Sequence, residues 1–353
     1  MRGLLLSLYL LSALDLCAQF PPIDLEWSAI RPYTIGGEYF HISRDRVYGQ
    51  YIWAVLFNAD GSDDELANTF TTTGMDVTPM YPYRFNVGSL DVLIDMTVVD
   101  STIHRVMHHM NIGGNPQDVY WHLDGQVIQT DGDGYLWDYG NDLLVTNDAV
   151  YGCGGTDISF FPGAAVARLV KQDLQSAPLW NVTWADPNND IASFSSVAVL
   201  GDTVYCAAFP NVVMFDNATG ALLGTFDISG QGIVGPARFL AHGNRLYWCA
   251  HSGTTLHFGY RDMVSNQSQS ASLPNAPSPS SMVIDGQDRL WLTGTAGGSG
   301  RWYRFDEGLV SLGAGTLYES ISDACFVNGK ICFTGVLDGA SSTAYLITGT
   351  PQP

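Results

Sequence analysis

Three histidines close together in the chain, His104, His108 and His109, have the spacing that most resembles a transition-metal site. On a helix, residues four apart share a face, which would bring two imidazole rings to one ion. The surrounding residues are more typical of a β-strand, where His104 and His108 would stand about 13 Å apart because of the strand rise. That distance is too large for one ion, and no acidic residue lies within the cluster. We therefore expect no metal at these histidines.

Two acidic stretches offer the oxygen ligands that calcium prefers, residues 58–65 (NADGSDDE) and residues 131–134 (DGDG). Neither follows the twelve-residue calcium loop with its closing glutamate. Asn, Asp and Gly are also the ordinary residues of tight turns. We expect turns here and no cofactor, with calcium as the alternative.

Motifs of common catalytic sites are missing from the sequence. It contains no GxSxG elbow, no Walker loop and no dinucleotide-binding fingerprint. Two glycine-rich stretches, residues 152–157 and 294–300, each follow one hydrophobic run and precede another. We predict that both are hairpin loops, and we assign no catalytic residue.

The elements that would position any site come from a repeated pattern, in which a polar turn precedes a short hydrophobic strand ending in an aromatic residue or its substitute. The seven anchors are 41 to 56 residues apart, which is close to the period of one four-stranded blade. They are Tyr48, His104, Tyr151, Tyr205, Tyr247, Trp291 and Cys332. This pattern predicts an all-β chain folded as a seven-bladed β-propeller of four-stranded antiparallel blades.

The last repeat contains only three strands before the chain stops, and the N-terminal segment IDLEWSAI, residues 23–30, is the simplest source of the fourth. Closing the ring with both chain ends in one blade would remove the exposed edges of an open ring. Nothing marks a second domain. We therefore predict a single propeller domain over residues 19–353, closed by the N-terminal strand.

The starts of the inner strands of a propeller converge on one mouth, where polar side chains from different blades can meet a ligand. Counting back from each turn places six residues there: Glu38, Asp95, Ser196, Arg238, Ser281 and Asp323. Arg238 is the only base among them. We expect burial of Arg238 beside Glu38, Asp95 or Asp323, with its guanidinium free to grip a carboxylate. A solvated rim without a ligand is the simpler interpretation of these six positions, and a ligand site is the alternative.

Residues 1–18 have the layout of a secretory signal peptide, with Arg2 ahead of an apolar run and small residues at the end. Cleavage after Ala18 would release a secreted or periplasmic protein, and lipid attachment at Cys17 is the alternative. The apolar run is too short to span a bilayer, and no later stretch is long enough. We expect no membrane insertion.

The net charge of −20 with only two lysines, Lys171 and Lys330, disfavours nucleic acid as a partner. Five cysteines remain after cleavage, and Cys153, Cys206 and Cys249 are predicted core residues. Cys325 and Cys332 face each other across a predicted Asn-Gly hairpin. Export would allow a disulfide there, whereas the hydrogen-bonded register holds the two backbones farther apart.

Two segments resemble repeats of bacterial exported propellers. VVMFDNATGALLGTF, residues 212–226, is similar to pyrroloquinoline-quinone-like repeats, in which this motif is structural. AVLFNADGSDDELANTF, residues 54–70, resembles the delta-sixty type repeat of surface proteins. Quinone-dependent dehydrogenases of this fold usually add an eighth blade, a vicinal disulfide and calcium, and the chain has no Cys-Cys pair. The resemblance therefore implies the fold and carries no quinone site.

These observations favour an exported, monomeric, non-enzymatic binding or scaffold propeller that recognises a protein, peptide or glycan. Propellers present many loops on a rigid frame, which suits recognition. The alternative function is an enzyme in the channel mouth, a lyase or hydrolase with a bound cation.

Overall fold

The computed structural model describes the backbone over most of the chain and the side chains over a smaller part. The backbone is described for residues 23–32, 39–44, 51–56, 64–71, 83–86, 91–99, 102–110, 116–123, 126–131, 138–157, 165–175, 177–186, 193–228, 237–338 and 343–351. Side chains are described for residues 140–155, 166–175, 177–186, 193–228, 237–336 and 349–351. The predicted signal peptide, Tyr48 and Glu38 lie outside the described residues. All regular structure in the described ranges is β-strand.

The described strands form seven antiparallel sheets of four strands, here called blades. Blade one contains β2 (Tyr39–Arg44), β3 (Tyr51–Leu56), β4 (Asp64–Thr71) and β5 (Tyr83–Asn86). Blade two contains β6 (Asp91–Val99), β7 (Thr102–Met110), β8 (Pro116–Leu123) and β9 (Gln126–Asp131). Blade three contains β10 (Asp138–Val145), β11 (Ala149–Asp157), β12 (Ala165–Asp173) and β13 (Pro178–Trp184).

The later blades follow the same order from inner to outer strand. Blade four contains β14 (Val197–Leu200), β15 (Thr203–Ala208), β16 (Asn211–Asp216) and β17 (Leu222–Asp227). Blade five contains β18 (Ala237–His242), β19 (Arg245–Ser252), β20 (Thr255–Asp262) and β21 (Ser268–Pro274). Blade six contains β22 (Ser278–Ile284), β23 (Leu290–Ala296), β24 (Ser299–Phe305) and β25 (Ser311–Leu317). Blade seven contains β26 (Asp323–Val327), β27 (Lys330–Asp338), β28 (Thr343–Pro351) and, as its outer strand, β1 (Ile23–Pro32).

The blades form a closed ring. Each inner strand contacts the inner strand of the next blade, and β26 of blade seven contacts β2 of blade one. The N-terminal strand completes blade seven by pairing with β28, from Ile23 opposite Pro351 to Pro32 opposite Thr343. The predicted propeller with closure by the N-terminal strand is therefore confirmed.

Burial explains why the strands of one blade differ in sequence, as blade four illustrates. All residues of β15 after Thr203 are buried, because neighbouring blades cover both faces of a second strand. The outer strand β17 alternates between exposed and half-buried residues, since only one of its faces is covered. Gly220, in the turn before β17, combines a φ of 72° with a site where a Cβ would lie 3.0 Å from Trp180 of blade three. Only glycine fits that turn without strain.

The hydrophobic core consists of layers between successive blades. One cluster joins blades three and four around Phe194 and Phe215, and further clusters join blades four and five, five and six, and six and seven. Five of the predicted anchors are buried on second strands, which confirms their structural role: Tyr151, Tyr205, Tyr247, Trp291 and Cys332. His104 lies on the second strand β7, and its side chain is outside the described residues.

Of the two glycine-rich stretches predicted to be hairpin loops, one prediction is wrong and the other is confirmed. Residues 152–157 lie inside strand β11, where Gly154 and Gly155 pair with β12, so this glycine-rich stretch is not a loop. Gly297 and Gly298 form the turn between β23 and β24, both with positive φ. Residues 102–110 form strand β7, as the strand interpretation of the histidine cluster predicted.

The predicted hairpin at Asn328-Gly329 is confirmed. Both turn residues have positive φ, 48° and 79°, and Cys325 lies opposite Cys332 in the register that the sequence predicts. No disulfide joins the five cysteines that the structure describes. Cys153, Cys206 and Cys249 are buried in the core, as expected.

Candidate functional site

A cavity of about 560 Å³ opens at the end of the ring where the inner strands of blades three to six begin. Six of its lining residues carry polar side chains: Asn141, Ser193, Ser195, Arg238, His251 and Ser278. Ala237 and Pro279 are the other two lining residues among those that the structure describes. Most of the lining residues lie at or shortly before the start of an inner strand, whereas Asn141 lies in the middle of β10 and His251 near the end of β19. The cavity falls within the size range of small-molecule sites.

Arg238 supplies the positive charge of this cavity. It is the second residue of the inner strand β18, and its side chain is exposed. No hydrogen bond or ion pair joins its guanidinium to any side chain that the structure describes. The expected burial of Arg238 beside Asp323 is therefore wrong, because Arg238 is exposed and does not pair with Asp323. The side chains of Glu38 and Asp95, the other two expected partners, lie outside the described residues. The guanidinium faces a cavity whose described lining contains no carboxylate.

His251 contributes a hydrogen-bond acceptor, and its contact with Ala276 determines which ring nitrogen accepts. Its Nε2 lies 3.0 Å from the backbone oxygen of Ala276 in blade six. A carbonyl oxygen only accepts, so Nε2 must carry the proton in this bond. In the neutral ring, Nδ1 is consequently the acceptor. The contact also fixes the orientation of the imidazole, because Ala276 is buried.

Arg238 and His251 lie on the same face of blade five. Arg238 pairs with Cys249 across the β18–β19 hairpin, and His251 is two residues beyond Cys249. Such diagonal neighbours are about 7–8 Å apart, within reach of long side chains. Burial raises the pKa of the intervening Cys249 to about 12, so its thiol stays uncharged. One ligand group can therefore contact both side chains without a competing thiolate between them.

Hydrogen bonds between blades hold the rest of the cavity wall. The Ser195 hydroxyl donates to the Ala237 carbonyl over 2.8 Å and accepts from the Ala237 N–H over 3.1 Å. Asn141 Nδ2 donates to the Phe194 carbonyl over 2.7 Å. These bonds link blades three, four and five at the point where Arg238 projects. Ser195 and Asn141 are thus held in position before any ligand arrives.

Of the four predicted site residues whose side chains are described, Arg238 lines the cavity and the others do not. Ser196 is buried, donates to Asp142 Oδ2 over 2.5 Å and accepts from the Phe239 N–H over 3.0 Å. Ser281 is also buried and donates to the Ala324 carbonyl over 3.2 Å. Asp323, half-buried, accepts from the Ala324 N–H over 2.8 Å. Ser196 and Ser281 therefore connect neighbouring blades and do not form an open rim.

The sequence prediction missed most of the lining, notably Ser195, Ser278 and His251. Ser195 precedes the predicted Ser196 by one residue, and Ser278 precedes Ser281 by three. His251 lies on a second strand, whereas the sequence analysis predicts site residues only on inner strands. The sequence does contain a signal for His251. The turn between β18 and β19 is recognisable, and counting from it places His251 diagonally opposite Arg238.

Two findings hold for the part of the chain that the structure describes. There, no three His, Cys, Asp or Glu side chains come close enough together to hold a metal ion. The same residues include no helix of the length and apolar character needed to cross a membrane.

Comparison with known proteins establishes the fold. No protein-family model matches the chain, and no curated protein matches it by sequence. Virginiamycin B lyase from Staphylococcus aureus superposes with a TM-score of 0.57 at 12% identity, covering 91% of this chain and 99% of that one. The WD40 domain of Pan2 from Neurospora crassa gives 0.59 at 11% identity, covering 95% and 98%.

A third solved structure, BamB from Moraxella catarrhalis, gives a TM-score of 0.46 at 12% identity over 88% of this chain and 85% of that one. The fold assignment rests on the other two. At these identities the similarity extends to the β-propeller architecture and no further. The resemblance to pyrroloquinoline-quinone-like and delta-sixty-like repeats stays a prediction from the sequence.

Proposed function

We propose that this protein is an exported binding propeller that holds a carboxylate-bearing ligand, from a protein, peptide or glycan, in the cavity around Arg238. The observation that carries this proposal is the exposed guanidinium, which pairs with no described side chain and faces a cavity whose described lining contains no carboxylate. Export is inferred from residues 1–18.

Arginine suits this role because its planar guanidinium can donate two parallel hydrogen bonds to one carboxylate. Hydrogen bonds to a charged group contribute about 1.5–3 kcal/mol. The chain carries a net charge of −20, so an anionic ligand is repelled by most of its surface. In the cavity, the attraction of Arg238 for an anion can exceed that repulsion. We therefore expect anions to bind specifically in the cavity and not elsewhere on the surface.

We propose glycan and peptide arrays, probed with labelled mature protein, as the test. The ligands retained should share a free carboxylate, and Arg238→Ala should weaken their binding about tenfold or more. Arg238→Lys should recover only part of the affinity, because an ammonium group cannot make the bidentate contact.

Arg245→Ala is the matched control for this experiment. Arg245 begins β19, at the opposite end of the same blade, so its removal changes the net charge equally without touching the cavity. Retained ligands that lack a carboxylate, or that bind Arg238→Ala as well as wild type, would overturn the proposal.

An enzyme acting in the same cavity is the second candidate, favoured by the acceptor Nδ1 of His251. A neutral imidazole beside an anion-binding arginine is suitable for removing a proton from a bound substrate. Prolonged incubation separates the two candidates. A binding protein returns its ligand unchanged, whereas a lyase or hydrolase returns a chemically altered product, detected by its mass or its chromatographic retention.

A further inference from the structure

We infer that the carboxylate recognised in this cavity belongs to a sugar, so that the site binds a uronic acid residue of an acidic glycan. This inference rests on the proposed function and specifies its ligand. A uronic acid combines one carboxylate with several hydroxyl groups on a compact ring. The described lining of the cavity combines one guanidinium with several neutral polar side chains, beside the apolar Ala237 and Pro279.

The polar lining matches the hydroxyl groups of such a ring. Ser193, Ser278 and Asn141 each carry donors and acceptors, as sugar hydroxyls do. A peptide side chain of mixed character would instead place apolar groups against these serines, which would bury polar groups without partners. At about 560 Å³ the cavity has room for the ring and for a linked neighbour.

His251 is the specificity-determining residue in this inference. Its Nε2 proton is engaged by the Ala276 carbonyl, so the Nδ1 of the neutral ring accepts. A hydroxyl next to the carboxylate can donate to Nδ1 while the carboxylate contacts Arg238, since the two residues are diagonal neighbours on one face. A carboxylate without a neighbouring donor would leave Nδ1 unpaired. The site should therefore discriminate between carboxylates by their hydroxyl groups.

Isothermal titration with four probes tests this inference: glucuronate, glucose, cyclohexanecarboxylate and N-acetyl-alanyl-alanine. Glucuronate should bind at least about tenfold more tightly than the other three, because each of them lacks the carboxylate or the ring hydroxyls. His251→Leu should weaken glucuronate binding about tenfold and leave cyclohexanecarboxylate binding unchanged. His251→Gln, which keeps a donor for Ala276 and an acceptor for the ligand, should recover part of the selectivity.

His242→Leu is the matched control, because His242 lies at the opposite end of blade five in an exposed contact with Asp288. A purely structural role of His251 would lower the affinity for all carboxylates together and leave their ratio unchanged. That result would overturn the inference. Equal binding of glucuronate, cyclohexanecarboxylate and the dipeptide through Arg238 would also overturn it, while the proposed function would stand. If none of the three carboxylates binds, both fail.

Discussion

Asn217 illustrates how single polar residues hold the blades together. Its Oδ1 accepts from the Tyr151 hydroxyl over 2.6 Å and from Lys171 Nζ over 2.8 Å. Its backbone oxygen accepts from Lys171 Nζ over 2.8 Å and from Trp180 Nε1 over 3.2 Å. Three side chains of blade three thus converge on one turn residue of blade four. The asparagine lies in a glycosylation sequence pattern, but here its side chain is an internal connector.

Replacing Asn217 with alanine should destabilise the protein by about 2–3 kcal/mol, because the buried Lys171 ammonium loses an acceptor. Urea denaturation measures the change. Asn244→Ala, at an exposed turn residue of blade five, is the control and should change stability by less than about 0.5 kcal/mol. Equal stability of the two variants would contradict the connecting role of Asn217.

Tyr151 should make stability fall at high pH. Burial, followed by the charge of Asp148, raises the pKa of Tyr151 from 10.0 to about 12. The unfolded chain therefore releases this proton near pH 10, while the folded chain keeps it until about pH 12. Since the unfolded state binds fewer protons in that window, the free energy of unfolding falls as the pH rises through it.

Urea denaturation of wild type and Tyr151→Phe between about pH 9 and about pH 11.5 tests this assignment. The phenylalanine variant should lose less stability over the window, because it has no phenol to titrate. It should also start about 1 kcal/mol lower, owing to the lost bond to Asn217. If the free energy of unfolding falls equally with pH in the two proteins, groups other than Tyr151 cause the loss of stability.

At the scale of the strands, the sequence predicts hairpins well and side-chain direction poorly. Side chains alternate along a strand, so an error of one residue exchanges the two faces. Counting back from the turn locates Arg238 correctly in the bulge-free β18–β19 ladder, but in the equally regular β14–β15 ladder it selects the buried Ser196. The β22–β23 ladder shifts register between Pro279 and Ser281, and there the count selects a buried residue. Bulges leave no reliable mark in a single sequence.

The strand pattern itself was predictable because its causes are local. Turn residues with positive φ, such as Gly201 and Asn328, separate hydrophobic runs whose length fits a blade. The cavity depends instead on which inner strands meet and how far each extends. Those are properties of the closed ring, which explains why the sequence analysis does not predict His251 and Ser195 as site residues.

At the scale of the whole molecule, the strand β1 should determine whether the ring holds together. Deleting residues 23–30 removes the outer strand of blade seven and exposes the edge of β28. We expect a fall in melting temperature of more than about 10 °C, since several ladder bonds and the ring closure are lost together. Adding the synthetic peptide Ile23–Pro32 should restore part of the loss by pairing with β28.

A deletion of residues 19–22, which lie outside β1, is the control and should leave the melting temperature unchanged. If the longer deletion melts at the wild-type temperature, the closure by β1 contributes nothing to stability.

The pairing of β1 with β28 also governs when the molecule can be completed. The two strands lie more than three hundred residues apart in the chain, so they cannot meet until β28 has been synthesised. Until then blade seven lacks its outer strand, and contacts of such long range form slowly. During that interval the β1 strand of one chain is able to complete the blade of another. We therefore expect domain-swapped oligomers as a misfolding product at high expression levels.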